Sequence, residues 1–586
     1  MVGTGPALGR PLSSDQAETE GAVRWWTPRR TDIGVAALYL LGALWVTARG
    51  WRHVDQALLG TQPKDQVFNE WMLAFDAHAV AHLDNPFFTT LQNAPDGVNL
   101  MGNVAMQLAG ILLAPVTLLR GAPLSYLVLV TVSLAATAFG WYYILARHVV
   151  QSRLAALLGG ALCGFAPGMI SQSNGHPHII AQFLVPFIVW RVARLTEPGR
   201  AVRNGLALGV LIVAQFFVGE EILLLTAVGC AVAVIACALS RPREALRVAP
   251  VFLTGLGVAA GLVLCVVVYP MWVQFFGPQH YSGAPDSYPA DLASYAAFGR
   301  EAIAGSASAV EGLAPNSAEE SAFFGWPLLI VALSATVWLW RNLVARIASV
   351  TAVVAAGLSL GPDIIYKGRD TGAPGPYALL DGLPVLDAMI VGRFALVVAP
   401  TLGILLAVAA DRVSTLPQTG RAVAAAVIVA ALVPIAPTPL QAADRPDVPH
   451  FITSGQWRDY VEPGRTLVPV PVEGRTGLRW ATVADLGFAV PQGYFLVPTG
   501  PDDDSGRWSA PFRPTWQLLT RVAAGRNVAV TEWERAQAQQ DVRFWRADAV
   551  VLYERAPRAE ALRQTLDALF GPGRQVSDVR VYPVRA

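Results

Sequence analysis

The sequence is poor in charged residues, in lysine and in cysteine. Asp, Glu, Lys and Arg make up 15% of its 586 residues, against about 25% in an average soluble protein. Hydrophobic residues account for 54%, and the formal net charge is +1. This composition excludes a disordered chain and most large soluble enzymes, and it gives no electrostatic reason to expect nucleic acid as a partner. We therefore expect a polytopic α-helical membrane protein.

The scarce residues also exclude several kinds of site. The only lysines are Lys64 and Lys367, so arginine carries almost all of the positive charge. The sequence has no internal repeat and no glycine-rich phosphate-binding loop, which leaves NTP-driven transport without support. The cysteines lie inside apolar runs without metal-ligand spacing and are interpreted as small buried hydrophobic residues: Cys163, Cys230, Cys237 and Cys265.

Long apolar runs predict where the chain crosses the membrane, since a spanning helix needs about 20 mostly apolar residues. Residues 1–32 are polar, lack the pattern of a cleaved signal peptide and are predicted to be a cytoplasmic N-terminal segment. Eleven runs then predict about 11 spans: 33–49, 124–145, 154–170, 178–193, 204–219, 222–239, 248–270, 323–340, 346–361, 393–411 and 421–437.

A twelfth run, 104–119, is short, contains Gln107 and is interrupted by Pro115. If it lies along the membrane surface, the arginine clusters between the later spans all fall on the side of the N-terminus, as the positive-inside rule requires. This choice places the N-terminus in the cytoplasm and the C-terminus outside. The acidic segments 50–103 and 273–321 then lie on the outer face, where we expect the chemistry.

Three units follow from this organisation. After the N-terminal segment, residues 33–439 form a transmembrane domain whose first outer loop is 50–123. Residues 440–586 contain no further spanning run and are predicted to be an extracytoplasmic soluble α/β domain, with β-type runs at 466–472 and 550–553 and helices at 532–546 and 557–570. Roughly 145 residues suffice for a small core of its own.

The first outer loop contains two candidate catalytic carboxylates, Asp65 and Glu70. They open an amphipathic pattern over 65–79 that predicts a helix lying flat at the membrane interface. A carboxylate within hydrogen-bonding reach of an alcohol can take its proton and make it a nucleophile. The alternative for Asp65 is a helix N-cap, a position that Asp favours.

Five further residues are candidates for substrate binding. His176 and His178, separated by a proline, could bind a metal or a phosphate, or could be loop residues at a helix start. Glu220 and Glu221 interrupt an apolar run, and ionisable residues near membrane depth are usually functional. Arg393 opens a span on the outer face, which is typical of a phosphate ligand or of a snorkelling anchor.

The order of these features resembles the GT-C fold of integral-membrane glycosyltransferases that use polyprenyl-phosphate sugars, in particular bacterial proteins of the protein-mannosyltransferase and aminoarabinose-transferase type. The resemblance covers roughly 33–440 and is carried by 65–71, Asn85-Pro86-Phe87, Pro95-Asp96-Gly97-Val98-Asn99-Leu100, Gly164-Phe165-Ala166-Pro167, Phe216-Phe217-Val218-Gly219-Glu220, Phe324-Gly325-Trp326-Pro327 and Arg393-Phe394.

The resemblance implies that an acidic side chain of the first outer loop acts as a general base, or binds a divalent metal such as Mg²⁺ or Mn²⁺. Many members have a clear acidic pair there, whereas Asp65 and Glu70 are five residues apart, so the choice between them stays open. The implied function is transfer of a sugar from a polyprenyl-phosphate donor to a glycan, glycolipid or protein acceptor outside the bacterial inner (plasma) membrane. The alternatives are a transporter or flippase of envelope lipids, which predicts a repeated half and midplane charges, and a non-catalytic membrane scaffold.

Overall fold

A computed structural model describes residues 30–585 apart from a few short gaps, at 104–105, 284–286, 381, 384–388 and 501. Most of the predicted cytoplasmic segment 1–32 therefore lies outside the described residues. The helices of the membrane part and its loops are α1 (Arg30–Val46), α2 (Ala48–Arg52), α3 (Pro63–His82), α4 (Gln107–Arg120), α5 (Ala122–His148), α6 (Arg153–Phe165), α7 (Pro167–Gln172), α8 (Pro177–Ile180), α9 (Val185–Arg194), α10 (Ala201–Phe216), α11 (Glu220–Ser240), α12 (Pro242–Phe276), α13 (Trp326–Trp338), α14 (Leu343–Ser359), α15 (Ala395–Val413) and α16 (Gln418–Leu432).

The chain is an integral membrane protein. In the part that the structure describes, five helical segments are long and apolar enough to cross a membrane: Ala122–His148, Arg153–Gln172, Glu220–Ser240, Pro242–Phe276 and Val391–Val413. Shorter apolar helices, α4, α10, α13, α14 and α16, complete the bundle. Helices α11 and α12 have few fully buried residues, so their apolar side chains remain accessible, as contact with lipid requires.

Two predicted spans are interrupted in the structure. The run 154–170 breaks at Ala166, where a ψ of 151° separates α6 from α7. The run 178–193 is not a continuous helix, because the chain leaves helical geometry between α8 and α9. Prolines begin both pieces, and a proline nitrogen has no hydrogen to donate to the preceding turn. Helix α9 has only 10 residues, about 15 Å at 1.5 Å per residue, so it does not span alone.

The two ends of the bundle differ in chemistry. At one end, Asp32 is 1% exposed and accepts hydrogen bonds from Arg147 at 2.8 Å and Arg153 at 2.5 Å. These residues belong to the start of α1, the end of α5 and the start of α6, so three helix ends meet there. Helices α6 and α7, separated by a break at Ala166, lead away from this end over 20 residues, which is the number that a membrane span needs. Gln172 therefore marks the opposite end.

The first loop is more buried than the sequence suggested. Helix α3 does not lie exposed at an interface, since most of its residues from Gln66 to Ala79 are buried. It packs against α4 and α5 on the membrane side and against a helix of the C-terminal part on the other. The 14-residue helix α4, about 21 Å long, is shorter than a span and leaves an apolar edge at Leu112 and Leu119 exposed, as predicted for a surface-lying helix.

Short strands join the loops. The pairs are β1 (Ala57–Leu59) with β6 (Ala442–Asp444), β2 (Phe88–Thr89) with β3 (Val98–Asn99), and β4 (Asp363–Tyr366) with β5 (Arg369–Pro374), all antiparallel. The β1–β6 pair ties the first outer loop to the beginning of the C-terminal part.

The C-terminal part is a mixed α/β unit, and it contains the predicted strands and helices. Its elements are α17 (His450–Thr453), β7 (Thr466–Val470), α18 (Gly474–Val483), β8 (Leu496–Gly500), β9 (Asp503–Trp508), α19 (Pro514–Ala523), α20 (Glu532–Phe544), β10 (Ala547–Tyr553), α21 (Ala559–Phe570), β11 (Arg574–Val576) and β12 (Val579–Pro583). One sheet has the order β11-β12-β10-β7, with β7 parallel to β10. One face of this sheet packs on α19–α21, while the other shares a hydrophobic core with the first loop and the membrane helices.

Candidate functional site

Asp65 lies in the first turn of α3 and does not cap it. The N-cap position is Gln62, which makes no side-chain capping bond. Burial raises the pKa of Asp65 to about 6, against a hydrogen bond from Tyr494 and the positive charges of Arg393 and Lys64, which favour the ionised form. A carboxyl group with this pKa exchanges its proton near neutral pH, as a general base must.

The loop that carries the histidines is held against Asp65. The backbone oxygen of Gly175 accepts a hydrogen bond from Asn69 of α3 at 2.8 Å. A Cβ atom at Gly175 would lie 2.9 Å from the Cβ of Asp65, so only glycine permits this approach. Asn174 fixes the loop further, because its side chain accepts from the Thr61 backbone at 3.2 Å and donates to Glu301 at 3.1 Å.

His176 connects Asp65 with a second group of charged residues. Its Nε2 lies 3.8 Å from Oδ2 of Asp65, and its Nδ1 lies 2.7 Å from Gln172 Oε1 and 3.8 Å from Glu319 Oε1. Burial, together with the charge of Arg393, lowers the pKa of His176 well below its usual value, so the ring is neutral at physiological pH. The ring of His178 meets that of His176 edge to face, with centroids 5.8 Å apart.

Arg393 is not the isolated arginine that the sequence suggested. It is 5% exposed and lies between two carboxylates. Its Nη1 donates to Glu221 at 2.5 Å, while Nε and Nη2 donate to the two oxygens of Glu319 at 3.2 and 2.5 Å. Such a fork fixes both carboxylates in direction as well as distance. The snorkelling alternative does not hold, because the guanidinium points into the protein.

Glu220 and Glu221 begin helix α11 and face different partners. Glu220 accepts a hydrogen bond from Gln274 of α12 at 3.0 Å. Glu221 accepts a hydrogen bond from Arg393 through Oε2, and its other oxygen, Oε1, is buried without a hydrogen-bond partner among the described residues. Asp65, His176, Glu319, Arg393 and Glu221 thus form one continuous charged cluster, which we call the acidic cluster, and His178 lies beside it.

Glu70 lies apart from the acidic cluster. It forms a two-pronged ion pair with Arg445, whose Nη2 donates to Oε1 at 2.8 Å, and it also accepts from Gln66 at 2.7 Å. The Glu70 and Arg445 side chains are 4% and 2% exposed. Arg445 in turn donates to the backbone oxygen of Ala57 at 3.0 Å. Glu70 therefore holds the β1–β6 junction, and Asp65 is the carboxylate of this pair that faces the cluster.

Two residues of the site were not found by sequence reasoning. Glu319 lies in the acidic outer segment 273–321 but was not singled out, and Gln172 was not among the candidates. The structure brings them together, because Ser171 bonds the backbone of Ser317 and Glu320 at 2.8 Å each. Gln172 then donates to Glu319 at 3.0 Å. No local pattern identifies such a contact between residues almost 150 positions apart.

The site offers two ligand atoms for a divalent metal. Oδ2 of Asp65 and Nε2 of His176 face each other at 3.8 Å, a separation that one ion could bridge. Glu319 lies on the opposite nitrogen of the ring, so it does not share that position. A mixed oxygen and nitrogen set suits Mn²⁺ or Zn²⁺ better than Mg²⁺.

Comparison with solved structures identifies the fold. The archaeal oligosaccharyltransferase AglB from Archaeoglobus fulgidus, in complex with an inhibitory peptide and a dolichol-phosphate, superposes with a TM-score of 0.51 at 11% identity, covering 92% of this chain and 71% of its own. The apo form of the Archaeoglobus fulgidus oligosaccharyltransferase gives 0.50, also at 11% identity, over 93% and 71%. The chain has the GT-C fold. This confirms the resemblance inferred from the sequence.

Other comparisons add little to this GT-C assignment. ArnT from Cupriavidus metallidurans in the apo state gives a TM-score of 0.43 at 11% identity, covering 98% of this chain and all of that one. The sequence matches no protein-family model and no curated protein. At such identities a structural likeness shows the fold alone, so the function has to be argued from the residues of the site.

Proposed function

We propose that the protein is a membrane glycosyltransferase that moves a sugar from a polyprenyl-phosphate donor to an acceptor hydroxyl or amide outside the membrane. The observation that carries this proposal is the position of Asp65. It is a carboxyl group with a pKa of about 6, in contact with a neutral histidine and a buried charged cluster, at one end of a membrane bundle with the GT-C fold. The fold neighbour AglB was solved with a dolichol-phosphate, a lipid of the proposed donor class.

In the proposed step, Asp65 removes the proton from the acceptor as its oxygen or nitrogen attacks the anomeric carbon of the sugar. The bond from the acceptor to that carbon forms, the bond from the carbon to the phosphate oxygen breaks, and the lipid phosphate leaves with the electron pair. Asp65 afterwards releases its proton to water. General-base assistance of this kind contributes about 10²–10⁴ in rate.

The remaining residues of the cluster hold this arrangement. Arg393 fixes Glu221 and Glu319, and Gln172 links Glu319 to the ring of His176. We assign these side chains to positioning and to donor binding. A divalent cation between Asp65 and His176 would supply positive charge for the leaving phosphate, and Lys64, exposed beside Asp65, adds to it.

The surroundings fit a lipid donor and an external acceptor. Gln274, which bonds Glu220, lies on a turn of α12 that also exposes Trp272 at 53% and Phe276 at 70%, and we assign this apolar surface to the polyprenyl chain. On the other side, the C-terminal part reaches the site through Tyr494, whose ring stacks on Trp508 at 4.8 Å. A half-buried tyrosine stacked on an exposed tryptophan beside the base is suited to an acceptor sugar or peptide.

We also propose the arrangement in the membrane. Since the arginine end of the bundle and the acidic cluster are about one bilayer core apart, the positive-inside rule puts the cluster and residues 440–586 outside the plasma membrane. A reporter fused after residue 586 that is active only in the cytoplasm would contradict this orientation.

The decisive experiment is transfer of radiolabelled sugar from polyprenyl phosphate by the purified, reconstituted full chain. Asp65→Asn is expected to lower turnover by at least about 10². Asp55→Asn, an exposed carboxylate of the same loop, is the matched control and should behave as wild type. A lipid-flipping assay on the same vesicles separates the alternatives, because flipping without transfer would support a flippase. Normal transfer by folded Asp65→Asn would refute the proposal.

A further inference from the structure

The far end of α3 carries a second group of possible metal ligands. His78 and His82 are four residues apart on the last turns of this helix, so both project from the same side. Asp84 follows just after the helix. The ligand atoms of these three residues all lie within 4.8 Å of one another, and they are the one group of three such ligands found among the described residues.

The local backbone brings Asp84 to the histidines. Leu83 ends the helix in the left-handed region, with φ of 59° and ψ of 37°, and the Asp84 backbone nitrogen bonds the oxygen of Ala79 at 3.0 Å. This turn folds the chain back, so that Oδ2 of Asp84 lies 3.4 Å from Nε2 of His78. Two ligands of a tetrahedral Zn²⁺ ion stand about the same distance apart, given bonds of roughly 2.0–2.2 Å.

The His82 ring is already oriented to bind a metal. Its Nδ1 lies 3.0 Å from the backbone oxygen of His78. Because a carbonyl oxygen only accepts, Nδ1 carries the hydrogen and Nε2 keeps its lone pair. On the other side of His78 lies Asp485 of the C-terminal part, whose negative charge favours the protonated form of the His78 ring. Metal-binding histidines typically donate their second ring nitrogen to a backbone carbonyl or a carboxylate, which fixes the ring. The two rings already stack, with centroids 4.1 Å apart.

We propose that His78, His82 and Asp84 form a binding site for a divalent transition metal of the Zn²⁺ class. Two histidines four residues apart and one carboxylate make a nitrogen-rich set that favours Zn²⁺ over Mg²⁺ and Ca²⁺. The site is separate from the acidic cluster, because 13 residues of helix between Asp65 and His78 amount to about 20 Å.

The position of this site suggests what it does. Asp485 belongs to the loop that follows α18, and α18 packs along α3. A metal at His78 would therefore lie where the C-terminal part packs against the helix whose first turn presents Asp65. Its role there is structural, since it would fix the end of α3 at this contact, and it needs no part in the transfer step.

The test is Zn²⁺ titration of the purified full chain in detergent after chelator treatment, with free Zn²⁺ followed by a chromogenic competitor. One bound equivalent should depend on this site, so that His82→Gln and Asp84→Asn each weaken its binding at least about tenfold. Both residues are exposed, so these variants are expected to fold. His53→Ala, an exposed histidine earlier in the same loop, is the control and should bind like wild type.

Two further measurements decide between this site and the acidic cluster. Asp65→Asn should keep the equivalent, whereas its loss there would place the ion at the cluster and overturn the proposal. Amide hydrogen exchange should slow on Zn²⁺ addition near residues 76–85 and 484–487, and it should not do so in His82→Gln. No bound Zn²⁺, or unchanged binding in both variants, would also refute the site. None of these outcomes depends on glycosyl transfer.

Discussion

The buried ion pair between Glu70 and Arg445 allows the change in unfolding free energy on mutation to be predicted. In Arg445→Met the buried Glu70 carboxylate, 4% exposed in the wild type, keeps Gln66 as its one hydrogen-bond partner among the described residues. Breaking a buried pair by removing one partner costs about 3–5 kcal/mol, because the other charge stays desolvated. We expect Arg445→Met to lose about that much unfolding free energy, and Glu70→Leu to lose a similar amount.

The double variant Glu70→Leu/Arg445→Met should be far more stable than the sum of the single variants. Removing both charges removes the desolvation penalty, and what remains is the lost bond to the Ala57 oxygen, about 1–3 kcal/mol. The double-mutant cycle should therefore give a coupling energy of at least about 3 kcal/mol. The exposed pair Glu244 and Arg241 is the control, since Arg241→Met should cost less than about 1 kcal/mol.

The assay is denaturant unfolding of the purified chain followed by tryptophan fluorescence, with sugar transfer measured on the same samples. If Glu70 is structural, the folded double variant keeps transferring sugar. If the losses of stability in the two single variants simply add in the double variant, the reasoning about the buried pair is wrong. If the double variant is stable but transfers no sugar, Glu70 has the catalytic role that the sequence allowed.

Three more predictions concern the acidic cluster. Since the pKa of Asp65 is raised to about 6, turnover should rise with pH through that value, which a pH–rate profile measures. The protonated form of Asp65 stabilises the folded chain below pH 3.8, and this contribution to the free energy of unfolding should be lost by about pH 6, which unfolding at several pH values measures. Gly175→Ala should lower turnover by about 10², because its Cβ would displace Asp65, whereas Gly257→Ala, with open space around it, should not. Arg393→Lys should lower turnover while keeping the charge, because an ammonium group cannot hold two carboxylates in fixed directions; single-turnover kinetics would check this.

The fold was predictable because lipid imposes strong rules on sequence. Long apolar runs and arginine placement located nearly every helix of the bundle, since a spanning segment must be apolar along its whole length. The break near Ala181 was missed because α8 and α9 remain apolar where the helix stops. A proline at each restart, Pro177 and Pro186, was the available signal.

The sequence predicted several residues of the site, but it did not predict which of them contact one another. Asp65 and His176 come together as an outer-face hypothesis requires, but the partners of Arg393 come from segments more than 70 residues away. The separation of Asp65 from Glu70 could have been predicted. Five residues of helix turn through about 500°, so the two side chains point about 140° apart and cannot share one site.

The charge of the acidic cluster leads to a last prediction. It holds three carboxyl groups, those of Asp65, Glu221 and Glu319, beside the single guanidinium of Arg393, while the ring of His176 is neutral. A phosphate-linked donor is itself anionic, so its approach to a buried net negative charge is unfavourable unless a cation accompanies it. We therefore expect a chelator to abolish donor binding and transfer, and Mn²⁺ to restore both. The experiment is best done in His82→Gln, which lacks a ligand of the metal site proposed at the end of α3, so that the metal removed is the one at the cluster. Full transfer under chelation would mean that Lys64 and Arg393 alone balance the donor phosphate, and that Asp65 acts without a metal.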